Sequence, residues 1–144
     1  MELPQIALAK VFENGDFRAG YYRDQTFALA TGIVTVEQLF GQLYANPSSE
    51  EDPHSGGRQM NNHFATRSLH ADGSWKKLKY QKNTSADLSS TAAQMPRSLG
   101  LALASKKYRE LQDKIGENDF SNKGNEVCFA TIGDASTSEG LFWE

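Results

Sequence analysis

Cysteine is nearly absent from this sequence, as are basic excess and long apolar runs. Its 144 residues include one cysteine, Cys128. A lone thiol forms no internal disulfide and is no basis for a zinc site, so a disulfide scaffold is excluded and a reducing compartment is the default. A net charge of -3 leaves no basic footprint, which argues against nucleic acid or an anionic membrane as partner. The longest uncharged stretches, Gln25 to Val36 and Gln38 to Ser49, are too short to span a bilayer. The opening Met-Glu-Leu-Pro-Gln lacks the basic-then-apolar order of a signal peptide. A soluble, cytoplasmic domain is expected, of one-domain length.

What is present is unevenly distributed. Between Asn46 and Ser89 only 10 of 44 residues are apolar, too few for a core of its own. Phe64, Leu69, Trp75, Leu78 and Tyr80 lie within it, enough anchors for an ordered loop layer folded against something larger. Before it, Thr35 opens a helical pattern of Val36, Leu39, Phe40, Leu43 and Tyr44, one apolar face ended by Pro47. After it, Leu101, Ala104, Tyr108, Leu111 and Ile115 mark a second helix. Pro96 suits its first turn and Gly116 its stop. Glu110 and Lys114 are spaced to pair on its solvated side. Val127 to Ile132 is a nearly unbroken apolar run, which predicts a strand covered on both faces, as in a parallel sheet. Helix, strand and a further helix start make an α/β domain.

The strand leads directly into Gly133-Asp134-Ala135-Ser136-Thr137-Ser138-Glu139-Gly140. Open α/β sheets bind ligands beyond the carboxyl ends of their strands. A turn of small residues lets backbone amides reach an anion, and Asp134 is suited to Mg²⁺ bridging carboxylate and phosphate. The same residues also read as a helix start, with Ser136 and Glu139 as a capping box. Both readings stand. Ser89-Ser90-Thr91-Ala92-Ala93-Gln94 is a hydroxyl-rich entry to the second helix, suited to a ligand or to local turn bonds. His54, His63 and His70 lack metal-ligand spacing. Cys128, inside the apolar strand, reads as a packing residue. Tyr21-Tyr22-Arg23-Asp24 has no unique chemistry of its own.

Taken together, these segments resemble a known family: the alpha part of the thiamine diphosphate-dependent, decarboxylating component of 2-oxo acid dehydrogenase complexes, nearest the branched-chain (2-oxoisovalerate) type. The resemblance is carried by Tyr22-Arg23-Asp24, Gly57-Arg58-Gln59-Met60 with His63-Phe64, and Ser89-Ser90. Further along come Gln94-Met95-Pro96 with Gly100 and Ala102, then Gly133-Asp134 with Ser138-Glu139-Gly140. It runs from about Gly15 to the last residue, and Asp16 to Asp24 looks most like bacterial forms with fused alpha and beta halves.

The resemblance implies a thiamine diphosphate-binding fold, a parallel sheet flanked by helices, here incomplete, with residues 46–89 as its polar loop layer. Asp134 matches the acidic Mg²⁺ ligand, with Gly133, Ala135 and Ser136 at the diphosphate turn; Ala135 replaces the family's second glycine. Arg18 matches the diphosphate-binding arginine if Phe17 stands for the family's tyrosine and a gap precedes Tyr22. Ser89, Ser90 and Thr91 match positions near the aminopyrimidine and an adjacent cation site, and His63 matches a histidine near the cleft. The implied parent oxidatively decarboxylates a 2-oxo acid and passes the acyl group to a lipoyl-bearing acyltransferase. It pairs with a beta half or subunit in a homo- or hetero-oligomer. The second half of the cofactor motif is expected about 30 residues past Gly133, so the chain reads as a fragment, inactive alone. Alternatives are a pyruvate or acetoin dehydrogenase, another enzyme using this cofactor, or a non-catalytic module retaining the fold.

Overall fold

The computed structural model describes residues 2–59 and 61–144; Met60, the last residue of the Gly57 to Met60 motif, lies outside them. The chain forms α1 (Glu2–Val11), β1 (Phe17–Ala19), α2 (Gln25–Thr31) and α3 (Val36–Leu43), then a long loop-rich stretch. It ends with β2 (Asn83–Thr84), α4 (Gln94–Glu110), α5 (Gln112–Ile115), β3 (Cys128–Ala130) and α6 (Gly140–Trp143). The strands make one parallel sheet in the order β2-β1-β3, flanked by helices, as the α/β expectation requires. No helix among the described residues is long and apolar enough to cross a membrane.

The first helices pack through aromatics. Ala9, Phe12 and Phe27 form one buried cluster. Phe12 meets Phe27 and Phe129 edge to face, at centroid distances of 5.1 and 5.2 Å, a favoured ring geometry. Gln5 completes the joint. Its Oε1 accepts from the Phe27 amide at 2.9 Å and its Nε2 donates to the Arg23 carbonyl at 3.0 Å. Asp24, in the N-cap position of α2, makes no side-chain cap, so Gln5 satisfies from another helix an amide that a local cap would have taken.

α3 starts as its sequence predicts. Thr35 and Gln38 form a reciprocal capping box, which satisfies amide donors at the helix start. Most of its apolar stripe, however, faces outward: Val36, Phe40, Leu43 and Tyr44 are exposed, while Leu39 packs against Ala28, Val34 and Phe64 and the inward face carries Gly41 and Gln42. The reason is close approach. A Cβ on Gly41 would stand 2.3 Å from the Glu51 carbonyl oxygen, so the loop covers the side with no side chain.

α4 and α5 divide the predicted second helix, with Pro96 in the first turn and Gly116 ending it at φ +67. Glu110 pairs with Lys106 at 3.8 Å and Lys107 at 2.7 Å, rather than with Lys114. β3 is shorter than the apolar run and is an edge strand. Its residues are half-buried or exposed, which corrects the expectation of cover on both faces. Cys128 is half-buried. Burial first, and then the charge of Asp16, push its thiol up to about 11, so it stays protonated and unreactive.

The polar stretch reaches the core at particular points. Phe64 packs with Ala28 and Val34, β2 pairs with β1, and Leu69 bridges Trp75. Asp52 is fully buried and accepts from the amides of His54, Ser55 and Gly57 and from Ser55 Oγ. Burial pushes that carboxyl upward, but these hydrogen bonds outweigh it and the net shift is downward. Gly57 has φ +74, and a Cβ there would lie 2.5 Å from the Ala45 carbonyl oxygen, so this turn requires glycine.

Candidate functional site

The site is built on a buried ion network at the carboxyl end of β1. Arg18 is 2% exposed. It donates to Asp24 Oδ2 at 2.7 and 3.0 Å, to Asp87 Oδ1 at 3.0 Å and to Thr84 Oγ1 at 2.8 Å. Its guanidinium also donates to the Tyr21 carbonyl at 3.1 Å and lies over the Phe64 ring. Asp24 Oδ2 accepts further bonds from the Tyr21 amide and Thr131 Oγ1, and Asp87 Oδ2 accepts from the Phe64 amide. A buried charge is tolerated when it is paired and hydrogen-bonded; Asp24 Oδ1 alone in this network is buried without a partner. The network draws together the ends of β1, β2 and β3 with the segments that follow them. Gly20 belongs to it as well. A Cβ there would lie 2.1 Å from Asp24 Oδ2 and 2.3 Å from Arg18 Nη2.

Arg18, expected at the diphosphate, lies inside this network. Its guanidinium is committed to two carboxylates and a carbonyl in the interior and does not line the cleft. The arginine that does is Arg23, on the exposed segment just past Gly20.

The cleft has a volume of about 230 Å³ and lies where the chain leaves β1 and β3. Tyr21, Tyr22 and Arg23 form one side; His63 and Leu88 to Ala92 with Gln94 form a second; Gly133 to Ser136 form a third. All seven other expected residues, Ser89, Ser90, Thr91, Gly133, Asp134, Ala135 and Ser136, therefore meet in one depression. Burial, and then the charge of Asp24, raise the Tyr21 hydroxyl above its ordinary value, which keeps it a hydrogen-bond donor. Arg23 lies over the Tyr22 ring at 5.3 Å and donates to its hydroxyl at 3.0 Å.

The second side is turned by strain. Ala92 is buried with φ 66, a left-handed conformation costing about 1–2 kcal/mol for a residue with a Cβ. That turn leaves Ser89, Ser90 and Thr91 exposed. Gln94 Nε2 donates to the Thr131 carbonyl at 3.0 Å, tying the start of α4 to the end of β3. Ser89 Oγ lies 3.1 Å from His63 Nε2.

The third side is a tight 3-10 turn, Ala135–Ser138, followed by the single turn of α6. Ser136 and Glu139 do not close a capping box: Glu139, at the N-cap, has no side-chain cap bond. The Ser136 and Thr137 amides donate to the Gly133 and Asp134 carbonyls at 3.1 Å each. The amides of Asp134 and Ala135 precede these donors and make no hydrogen bond within the turn. That refines the expectation for Ser136, whose amide is already committed.

Chemically, the cleft offers one cation, Arg23, and one carboxylate, Asp134, among hydroxyls and turn amides. An anion of diphosphate size fits this donor set. A metal ion does so less fully. Asp134 is one carboxylate ligand, and no group of three His, Cys, Asp or Glu suited to a metal occurs among the described residues. His54 and His70 lie away from the cleft. His54 Nδ1 is 2.9 Å from the Ala65 carbonyl oxygen, and the His70 amide donates to Ser74. Reading the residues one by one missed Tyr21, Tyr22, Arg23 and Leu88 as lining. The Tyr22-Arg23-Asp24 segment already carried the family resemblance, and that was the signal for Arg23.

Two comparisons with known proteins bear on this geometry. The family model described as "Dehydrogenase E1 component" matches residues 2–144. The chain is 30% identical over 130 residues to the 2-oxoisovalerate dehydrogenase subunit alpha of Bacillus subtilis (strain 168). That match covers 90% of this chain and 30% of the relative, so the chain spans about 30% of the length of the curated relative it matches.

Proposed function

Because the chain belongs to the dehydrogenase E1 component family, we propose that its cleft holds the diphosphate end of thiamine diphosphate. The observation that carries this is the convergence of seven expected residues and Arg23 on one depression at the carboxyl end of a parallel sheet. Open α/β sheets bind their ligands in that position. Arg23 pairs with phosphate oxygens, and the Asp134 and Ala135 amides donate to them. Asp134 would hold Mg²⁺, which would supply positive charge beside the diphosphate. One carboxylate does not complete a Mg²⁺ site, so further ligands would come from outside these residues. Ser89, Ser90 and Thr91 would hold the ring end of the ligand.

When bound, the cofactor supplies the carbanion chemistry of decarboxylation, and the protein supplies position and charge. The parent enzyme oxidatively decarboxylates a 2-oxo acid, of the 2-oxoisovalerate type, and passes the acyl group to a lipoyl-bearing acyltransferase in the cytoplasm. A beta half or subunit completes the site in a homo- or hetero-oligomer. The exposed apolar residues of α3 and those at Leu99, Leu103 and Val127 support burial against such a partner.

Titration of the chain with thiamine diphosphate and with unphosphorylated thiamine, with and without Mg²⁺, tests this reading. The diphosphate is expected to bind more tightly than thiamine, and Arg23→Gln to abolish the difference. Equal affinity of the two ligands for the wild-type chain would overturn it.

A further inference from the structure

Part of the apolar stripe of α4 borders open space rather than packed core. Leu101, Ala104 and Tyr108 share one face of the helix and line a cavity of about 320 Å³ at the amino end of β1. Phe17, Trp75 and Phe120 form its other sides, so four aromatic rings border one space. Local structure holds them there. Leu69 and Trp75 pair across a short antiparallel bridge, closed by the His70 amide, which donates to the Ser74 carbonyl at 2.9 Å. Trp75 meets Phe120 edge to face at a centroid distance of 5.4 Å. Asn118 Oδ1 accepts from the amides of Phe120 and Ser121 at 2.9 Å each, a side-chain turn that fixes the backbone at Phe120.

Among the described residues one charged side chain lines the cavity, and it is negative. Glu126 is half-buried. Its carboxylate oxygens accept from Ser121 Oγ at 2.7 Å and from the Asn122 amide at 3.1 Å. Neither donor is charged, so these bonds hold the carboxylate in place without neutralising it. The cations nearby are engaged elsewhere: Lys77 with Asp119, Lys79 with Glu117, and Arg109 with the Gly124 carbonyl.

We propose that this cavity is a second binding site, for a small free molecule carrying an alkylated ammonium group. The chemistry follows from the two components of the lining. A neutral apolar ligand fills the space beside Leu78 and Leu101, but strips water from Glu126 and returns nothing for it. A bare ammonium satisfies the charge, yet it is strongly hydrated and gains little from an apolar wall. Methyl groups on the nitrogen bury against that wall, while the charge meets both the carboxylate and the aromatic rings. The volume sits near the lower bound of ligand pockets, about 300 Å³, and suits a molecule of a few carbons. No lining residue is shared with the cleft at the other end of β1, so the two sites stand or fall separately.

Choline and 3,3-dimethylbutan-1-ol, its uncharged isostere with carbon in place of the nitrogen, separate the two components. The sequence has two tryptophans, so fluorescence of the Trp143→Phe chain reports Trp75 alone. Choline is expected to change that fluorescence saturably and to bind about tenfold more tightly than the alcohol. Glu126→Gln keeps an acceptor for Ser121 and removes the charge; it is expected to weaken choline severalfold and leave the alcohol unchanged. Tyr108→Leu, which keeps apolar bulk and removes a ring, is expected to act in the same direction. Backbone amide spectra show that each variant is folded and place the ligand, with choline shifts expected at Leu78, Tyr108 and Phe120. No saturable response to choline, equal affinity for choline and the alcohol, or choline shifts gathered in the cleft at the other end of β1 would overturn the proposal.

Discussion

The side of the cleft formed by residues 20–24 and 87–94 is fastened through the protein interior, whereas the side formed by residues 133–136 is fastened to itself. On the first, Arg18 joins Asp24 to Asp87 below the surface. Gln5 holds the Arg23 carbonyl from α1, and Gln94 reaches across to Thr131. On the second, the hydrogen bonds that shape the turn run within residues 133 to 139, and Asp134 stands in solvent. The contrast separates two jobs that sequence motifs merge. Buried ions make the first side rigid and costly to alter, since a lost partner strands a charge in the interior. The second leaves its carboxylate exposed.

The sharpest way to break this contrast is at Arg18. Arg18→Met leaves two buried carboxylates without their cation and is expected to cost about 3–5 kcal/mol, read from urea denaturation; a loss below about 1 kcal/mol, as for exposed pairs, would remove the distinction. Gln5→Ala takes away one amide's surrogate cap and one bond to the Arg23 carbonyl, and is expected to cost about 1–2 kcal/mol in the same assay. Acid should act on the loop layer away from the cleft, at His54. Desolvation, the largest influence on His54, holds its imidazole below the ordinary value of 6.5, and the ring packs edge to face on Phe64. The unfolded chain then binds that proton more readily than the native one, so stability is complete above pH 6.5 and declines as pH falls below it. His54→Leu is expected to flatten this part of the pH–stability curve. Asp134→Asn, on the self-fastened side, is expected to change stability by no more than about 0.5 kcal/mol, while Mg²⁺ ceases to strengthen binding of thiamine diphosphate in calorimetry.

Local chemistry was legible in the sequence and long-range chemistry was not. The cap at Thr35, the proline in the first turn of α4 and the glycine turn after β3 depend on neighbours a few residues away, and each appears where the pattern puts it. β1 escaped notice because Phe-Arg-Ala has no apolar periodicity. Its central residue is charged and becomes buried through partners six and 69 residues away. The same limit applies to Arg18 and Arg23. Both follow an aromatic residue, and only the fold decides that Asp24 and Asp87 claim the first and leave the second in the cleft. In α3, apolar spacing records which residues share a face and is silent on which face is covered. Here Gly41 and Gln42 decide which face the loop covers, one by its lack of a side chain and the other by its hydrogen bonds to the His63 backbone.

Backbone amide spectra of the chain, recorded as Mg²⁺ and thiamine diphosphate are added, test the account most directly, because they register weak binding residue by residue. The account predicts shifts grouped at Tyr22 and Arg23, at Ser89 to Thr91 and at Gly133 to Ser136, lost in Arg23→Gln. Shifts gathered instead around the apolar cavity lined by Trp75, Leu101 and Phe120 at the opposite end of β1, or no shifts at the cleft at saturating ligand, would contradict it.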